Sequence, residues 1–503
     1  MNRAHVRLDP ALVVSPVRPR TFGSFVEHMG RCVYTGIYEP GHPTADAAGF
    51  RGDVLDLVRE LGVTVVRYPG GNFVSGYRWE DGVGPLADRP TRLDPAWRTI
   101  ESNAFGLNEF VAWARTAGVE PMMAVNLGTR GLQEALDLLE YANHPGGTHL
   151  SDLRVAHGAR EPHGIRMWCL GNEMDGPWQL GHKTADEYGR LAAEVARGMR
   201  QLDPGLELVA CGSSGRSMPT FGAWEHTVLE HSYELVDYVS AHAYYQLDGD
   251  DDASFLASSV NMDRFISDVV ATADAVGARL GSDKRINISF DEWNVWYLRE
   301  LQADGMPREW TVAPRLSEDA YTVLDAVVVG SLLITLLRRS DRVHSACLAQ
   351  LVNTISAIRT EPGGPAWRQS IFHPFALTAA NARGDVLDPV VTAPTYETSS
   401  FGDVPVVDVA ATHDAGTGRL AVFVVNRSPS EATELSLDVQ GLEVVGLLSS
   451  ALLADEDRSA RNTADQPDRV RPRAHGDVAL DGGRLVAGLP PASWSMFVLQ
   501  VGS

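Results

Sequence analysis

At 503 residues the chain has room for about three domains, or for one large α/β barrel with a smaller companion. A content of 44% hydrophobic, 8% aromatic and 21% charged residues is that of a folded globular protein and excludes a mainly disordered one. With 65 Asp and Glu against 43 Lys and Arg, the net charge of −22 repels phosphate backbones and anionic lipid, so nucleic acid and membrane are excluded as partners and neutral ligands fit better.

The first twenty residues hold no apolar run longer than Ala11-Leu12-Val13-Val14, too short for a signal-peptide core, which predicts a cytoplasmic chain. From there to about residue 355, apolar runs at 22–27, 63–68, 121–126, 166–172, 206–211, 236–243, 286–291 and 343–352 read as strands. Between them lie amphipathic stretches at 53–61, 107–116, 132–142, 185–202, 262–275 and 317–338. Eight continuous rather than alternating strands, interleaved with helices, predict a closed parallel (β/α)8 barrel. No glycine fingerprint follows the first strand, which disfavours an open dinucleotide-binding sheet. The longest apolar run, 326–337, is too short to cross a bilayer and reads as a buried helix. Cys32, Cys169, Cys211 and Cys347 lack CxxC spacing and are expected as buried free thiols.

After about residue 375 the texture becomes short and β-rich, with runs at 404–411, 419–426, 433–439, 442–448 and 493–501 separated by Gly, Asp and Asn turns. That pattern predicts a C-terminal antiparallel β-sandwich, with 455–475 as a long exposed loop. We expect three parts: 1–18 as a strand added to the sandwich, 19–370 as the barrel, and 371–503 as the sandwich proper. The sandwich is expected to pack on the barrel rather than touch a ligand.

Barrel chemistry sits at the C-terminal ends of strands. The fourth strand ends in Gly171-Asn172-Glu173 and the seventh in Asp291-Glu292-Trp293-Asn294. Two glutamates emerging from apolar strands can be rigid and partly desolvated, the minimum equipment for glycoside hydrolysis. A lone strand-end glutamate is more often a cap or an ion-pair partner; two at strands four and seven are not so easily explained. Period-two alternation would turn Asp291 to the opposite face from Glu292, as a supporting group. Other signals are weaker. The near P-loop Gly176–Thr184 is interrupted by His182, and His28, His226, His231 and His242 show no ligand-like cluster, so no metal is expected.

Together, Glu27-His28, Arg67-Tyr68-Pro69-Gly70-Gly71-Asn72-Phe73, the stretch from Trp79 to Pro85, Asn172-Glu173-Met174-Asp175-Gly176-Pro177-Trp178 and Asp291-Glu292-Trp293-Asn294 resemble glycoside hydrolase family 51. These are α-L-arabinofuranosidases of the clan with two barrel glutamates, and the likeness runs from the first strand into the sandwich. The resemblance implies an exo-acting, retaining enzyme that takes terminal arabinofuranosyl groups from arabinan- or arabinoxylan-derived oligosaccharides, without metal or organic cofactor. It implies Glu173 as general acid/base and Glu292 as nucleophile, with Asn172 on the sugar 2-hydroxyl. Glu27, Asn72, Tyr244 and Gln350 would line the sugar subsite, Arg67 and His242 would support it, and Trp97 and Trp178 are sugar platforms or core. Repulsion between two close carboxyls would leave Glu292 ionised and Glu173 holding its proton. A homo-oligomer, a hexamer built as a trimer of dimers, is the implied assembly. The rival readings are a clan relative acting as endo-β-glucanase, xylanase or β-xylosidase, and a carbohydrate-binding protein without turnover.

Overall fold

The computed structural model describes residues 2–502. Eight parallel strands close into a barrel in chain order: β1 (Gly23–Phe25), β2 (Val65–Tyr68), β3 (Glu120–Val125), β4 (Met167–Leu170), β5 (Glu207–Ala210), β6 (Tyr238–Tyr245), β7 (Asn287–Val295) and β8 (Val343–Leu348). The circle is completed where β8 pairs with β1, Cys347 opposite Gly23. Each strand falls on a predicted apolar run. β2 and β4 are buried on both faces, side chains packing inward on the barrel core and outward on helices, and so they lack polar alternation. All four cysteines are buried and unpaired.

The outer helices follow from caps and stripes. Ala185–Leu202 starts at Thr184, whose N–H donates to Glu187 at 3.0 Å while Glu187 N–H returns the bond to the threonine hydroxyl; Tyr188, Ala192, Val195 and Met199 form its buried face. The predicted helix at 262–275 is the middle of Ser258–Leu280. The one expected from 317 begins only at Val323, because Thr322 and Asp325 form the capping pair there. Val323–Arg338 is buried along its length because both sides are covered: barrel strand β7 and helix Ser258–Leu280 lie on one, sandwich strands on the other. Gly330 is required at that contact, since a Cβ there would stand 2.2 Å from Trp494 Cδ1.

The sandwich has a six-stranded sheet ordered Val13–Pro16, Asp385–Leu387, Val407–Asp414, Arg419–Asn426, Ser493–Gly502 and Glu443–Leu453. Facing it is a five-stranded sheet that includes Asn2–Leu8. Val6, Leu8, Val422, Leu437, Leu485 and Phe497 lie in the core between them. Three details depart from the sequence reading. Asn2–Leu8 pairs parallel with Thr433–Val439, so the sandwich contains one parallel ladder. A helix, Phe372–Asn381, crosses residue 375 and packs on Gly52–Leu61 and Val323–Arg338. The 455–475 segment is not simply exposed: Asn462 donates to the carbonyls of Arg368 and Val470, and His373 bonds Val470, pinning the loop to the barrel despite its polar composition.

Candidate active site

The C-terminal ends of the strands open on a cavity of about 630 Å3. Glu27 follows β1, Arg67 lies on β2, Asn72 follows β2, and Asn172 and Glu173 follow β4. His242 and Tyr244 lie on β6, Glu292 on β7, and Gln350 follows β8. Glu27, Asn72, Glu173, His242, Tyr244, Glu292 and Gln350 line the cavity; Arg67 bonds to Glu292 behind that wall, and Asn172 bonds to Arg67 and directly precedes Glu173 in the chain.

β7 carries an extra residue relative to both neighbours. Against β6 the register passes from Ser240 opposite Ser289 to His242 opposite Glu292, and against β8 from Phe290 opposite Ala346 to Trp293 opposite Leu348. This bulge overturns the period-two expectation for Asp291. Phe290 faces the helices, but Asp291 and Glu292 both turn toward the barrel axis, Asp291 to His242 and Cys169, Glu292 to Arg67 and Tyr244. Asp291 thus bonds His242 and Cys169 from inside the barrel rather than from its outer face.

Glu292 accepts from Arg67 Nη1 at 2.7 Å and from the Tyr244 hydroxyl at 2.7 Å. Glu173, held at a left-handed φ of 44°, accepts from His242 Nδ1 at 2.8 Å and from the Trp178 indole at 2.8 Å. His242 Nε2 donates to Asp291 at 2.9 Å. Burial alone would strip the His242 proton, yet Glu292, Asp291 and Glu173 outweigh it and push the group up to about 10, so the ring is a cation at neutral pH. Burial also acts against ionised Asp291, and there Arg67 and His242 prevail and hold it below the usual range.

Arg67 Nη2 donates to Asn172 Oδ1 at 2.6 Å, which fixes the amide so that its buried Nδ2 has no partner among the described residues. Gln350 is similar: its amide nitrogen donates to Glu27 at 3.1 Å while its buried Oε1 has no partner among the described residues. Two buried polar atoms left open beside a cavity are where a polyhydroxylated ligand would be bound. Glu27 also accepts from the Phe73 N–H at 2.9 Å and the Trp97 indole at 2.7 Å, but burial dominates and lifts it to about 8. Gly71 permits this packing, since a Cβ would lie 2.6 Å from Glu27 Oε2. Asn72 is oriented by Gln179.

Trp97 is buried and bonded to Glu27, whereas Trp178 is 51% exposed at the rim. The sequence reading missed Trp296, edge-on to Tyr244 at 4.9 Å, and Phe401, which the C-terminal region delivers to the cavity wall. Trp296 lies two residues beyond the quoted Asp-Glu-Trp-Asn motif and could have been found there; nothing local marks Phe401. Phe401 lies on a hairpin outside both sandwich sheets, so it is this hairpin and not the sandwich that reaches the cavity.

Glu173, His242 and Glu292 each place a nitrogen or oxygen within 4.8 Å of one another, a cluster that the sequence reading did not see around His242. The donor chemistry does not fit a metal ion. A ligating imidazole needs a bare nitrogen, and both nitrogens of this charged ring already donate to carboxyl oxygens, of Glu173 and of Asp291.

The C-terminal domain of α-L-arabinofuranosidases matches residues 291–493, and the α-L-arabinofuranosidase 1 domain matches residues 57–258. The chain is 61% identical to an intracellular exo-α-(1→5)-L-arabinofuranosidase of Streptomyces lividans, over 98% of this chain and 75% of that one. It is 55% identical to an exo-α-(1→6)-L-arabinofuranosidase of Bifidobacterium longum, over 98% and 97%. A solved family 51 α-L-arabinofuranosidase from Bifidobacterium longum superposes with a TM-score of 0.96 at 50% identity, covering 99% of this chain and all of that one. The chain belongs to glycoside hydrolase family 51. Within this α-L-arabinofuranosidase family, the cavity that collects the strand-end glutamates is the candidate active site.

Proposed function

We propose that the protein is an exo-acting, retaining α-L-arabinofuranosidase in which Glu292 is the nucleophile and Glu173 the general acid/base. The observation that carries this reading is the spacing: an oxygen of each glutamate lies within 4.8 Å of the other. Double displacement needs carboxyls about 5–5.5 Å apart, whereas inversion needs roughly 6.5 Å or more to admit a water.

In the first step Glu292 attacks the anomeric carbon as the bond to the leaving oxygen breaks, and Glu173 gives that oxygen its proton. In the second, Glu173 takes a proton from water, the water oxygen attacks the anomeric carbon, and the ester to Glu292 is cleaved with its electron pair returning to the carboxylate. Arg67 and Tyr244 aim and hold Glu292. The open amide of Asn172 donates to the sugar 2-hydroxyl, Glu27, Asn72 and Gln350 bind the remaining hydroxyls, and Trp178 borders the leaving group. His242 and Arg67 supply the positive charge among these carboxylates.

The substrates are arabinofuranosyl oligosaccharides. Relatives named for 1→5 and for 1→6 linkages both lie above 50% identity, so a linkage panel is the way to assign this chain's preference. A cytoplasmic location agrees with relatives named intracellular. We also propose the hexameric assembly and the division near residues 18 and 370, with Phe372–Asn381 carried on the barrel side; sizing of the purified protein and limited proteolysis test these. The central experiment is hydrolysis of an aryl α-L-arabinofuranoside by the intact chain and by Glu292→Ala. Turnover is expected to fall by more than about a thousandfold in the variant. Full activity in Glu292→Ala would overturn the assignment, and an intact chain that cleaves only other aryl glycosides would move it to another sugar.

A further inference from the structure

Seven aromatic residues line the cavity, and five of them also belong to apolar clusters of the barrel. The two that no cluster claims are Trp178 and Phe401. Phe401 sits at the turn of a hairpin, Thr395–Thr398 with Gly402–Pro405, that belongs to neither sandwich sheet.

That hairpin is pinned to the short helix Asp252–Leu256 that follows β6. The Tyr396 hydroxyl donates to Ala253 O at 3.0 Å, Ser399 and Ser254 share a hydroxyl bond at 3.0 Å, and Ser400 N–H donates to Ser254 Oγ at 3.2 Å. Within the turn, Phe401 N–H donates to Thr398 Oγ1 at 3.0 Å. A half-buried phenylalanine held this firmly, facing a cavity and outside every apolar cluster, contributes little to the core. Its free face is available to a ligand.

We propose that Phe401 is a specificity-determining residue that provides an apolar wall for the sugar carrying the leaving oxygen. This rests on the arabinofuranosidase reading above. The terminal sugar must sit against Glu292, where the buried polar groups are: Glu27, the Asn172 amide and Gln350. The rim is left to the rest of the substrate, and it is apolar where Phe401, Leu298 and Leu301 line it. A furanose presents a C–H face that packs on an aromatic ring, so contact at Phe401 favours a sugar leaving group over a small one. Because the contact is with the leaving group, it discriminates among oligosaccharides without touching the chemistry at the anomeric carbon.

The test compares Phe401→Ala with the intact chain on an α-linked arabinofuranosyl trisaccharide and on methyl α-L-arabinofuranoside, whose leaving group has no ring. We expect kcat/KM on the trisaccharide to fall about tenfold and on the methyl glycoside to change less than about twofold. Phe401→Tyr is expected to restore most of the loss, with an unchanged melting temperature in both variants. Equal losses on the two substrates, or no loss on the trisaccharide, would overturn the proposal. Failure of the intact chain on the methyl glycoside and on every aryl arabinofuranoside would instead sink the underlying reading, and the proposal with it.

Discussion

At the floor of the barrel, Arg20 donates to Glu120 at the start of β3 (2.8 and 2.5 Å) and to Glu207 at the start of β5 (2.6 and 3.0 Å), and the Tyr238 hydroxyl at the start of β6 donates to Glu207 at 2.8 Å. At the opposite end Arg67 donates to Glu292, and so does Tyr244 from the far end of the same strand β6. Arginine, glutamate and tyrosine thus recur at both ends. The floor side chains are partly wet, at 19% exposure for Arg20 and 27% for Glu207, and every donor named there meets a carboxylate. The upper ones are dry, at 1% for Arg67 and 7% for Glu292, and Arg67 divides itself between Glu292 and Asn172 while Asp291 stands 3.8 Å away. A closed set of pairs ties strands together. An arrangement with open hydrogen-bonding atoms next to a cavity is set up for a ligand. Residue type alone therefore says little; what the groups leave unsatisfied says much more.

Paired substitutions put that contrast at risk. Arg67→Lys keeps the charge but loses the fork that reaches Glu292 and Asn172 together, so kcat/KM on an aryl arabinofuranoside is expected to drop about a hundredfold. Arg20→Lys makes the same chemical change at the floor. It should leave kcat/KM intact and lower stability by about 1 kcal/mol in urea unfolding. Comparable activity losses in both variants would erase the distinction between the two ends. The tyrosines on β6 give a smaller and cleaner version, one hydroxyl each. Tyr244→Phe should reduce kcat about tenfold or more with little change in stability, by removing a donor to Glu292. Tyr238→Phe should cost about 1 kcal/mol and no activity, by removing a donor to Glu207.

Much of this was legible beforehand because it is local. Apolar runs place the eight strands, and residues just past a run must stand at the barrel mouth, which brings Glu173 and Glu292 to one end. Asp291 was misplaced because its facing depends on a bulge, a property of pairing with two neighbouring strands that one strand's sequence does not carry. Phe401 is invisible in the sequence because it lies over a hundred residues after Glu292 and is brought to the cavity by a hairpin whose Ser399 bonds Asp251 and Ser254 at the start of the helix Asp252–Leu256. For Trp97 the sequence allows both platform and core; the ring is buried while donating to Glu27, an orientation that composition cannot show. The 455–475 loop looked solvated because polar residues satisfy backbone carbonyls as readily as water does.

The contrast between the two ends also predicts opposite responses to pH, the smallest effect and the one that needs the most care with sign. Burial raises Glu27 from 4.5 to about 8, so between those values the folded chain holds a proton that the unfolded chain has released. Its contribution to stability is therefore complete below about pH 4.5 and is lost as pH climbs through 8. His242, raised from 6.5 to about 10, acts in the same direction over a higher window, and Asp94, Asp175, Asp319 and Asp325, raised to about 6 or 7, act within the window of Glu27 itself, so only the difference between the intact chain and a Glu27 variant isolates Glu27. At the floor Arg20 holds Glu207 below its ordinary 4.5, so that contribution is present above the ordinary value and is lost as pH falls. Glu27→Gln cannot titrate, and its urea midpoint relative to the intact chain should rise steadily from about pH 5 upward. Glu207→Gln should be less stable than the intact chain at neutral pH and approach it in acid. A Glu27→Gln difference that stays flat across the whole range would mean that Glu27 is ionised in the folded protein, its three donors prevailing over burial. The sugar subsite would then hold a carboxylate that only accepts, in place of a carboxylic acid that can also donate to a sugar oxygen.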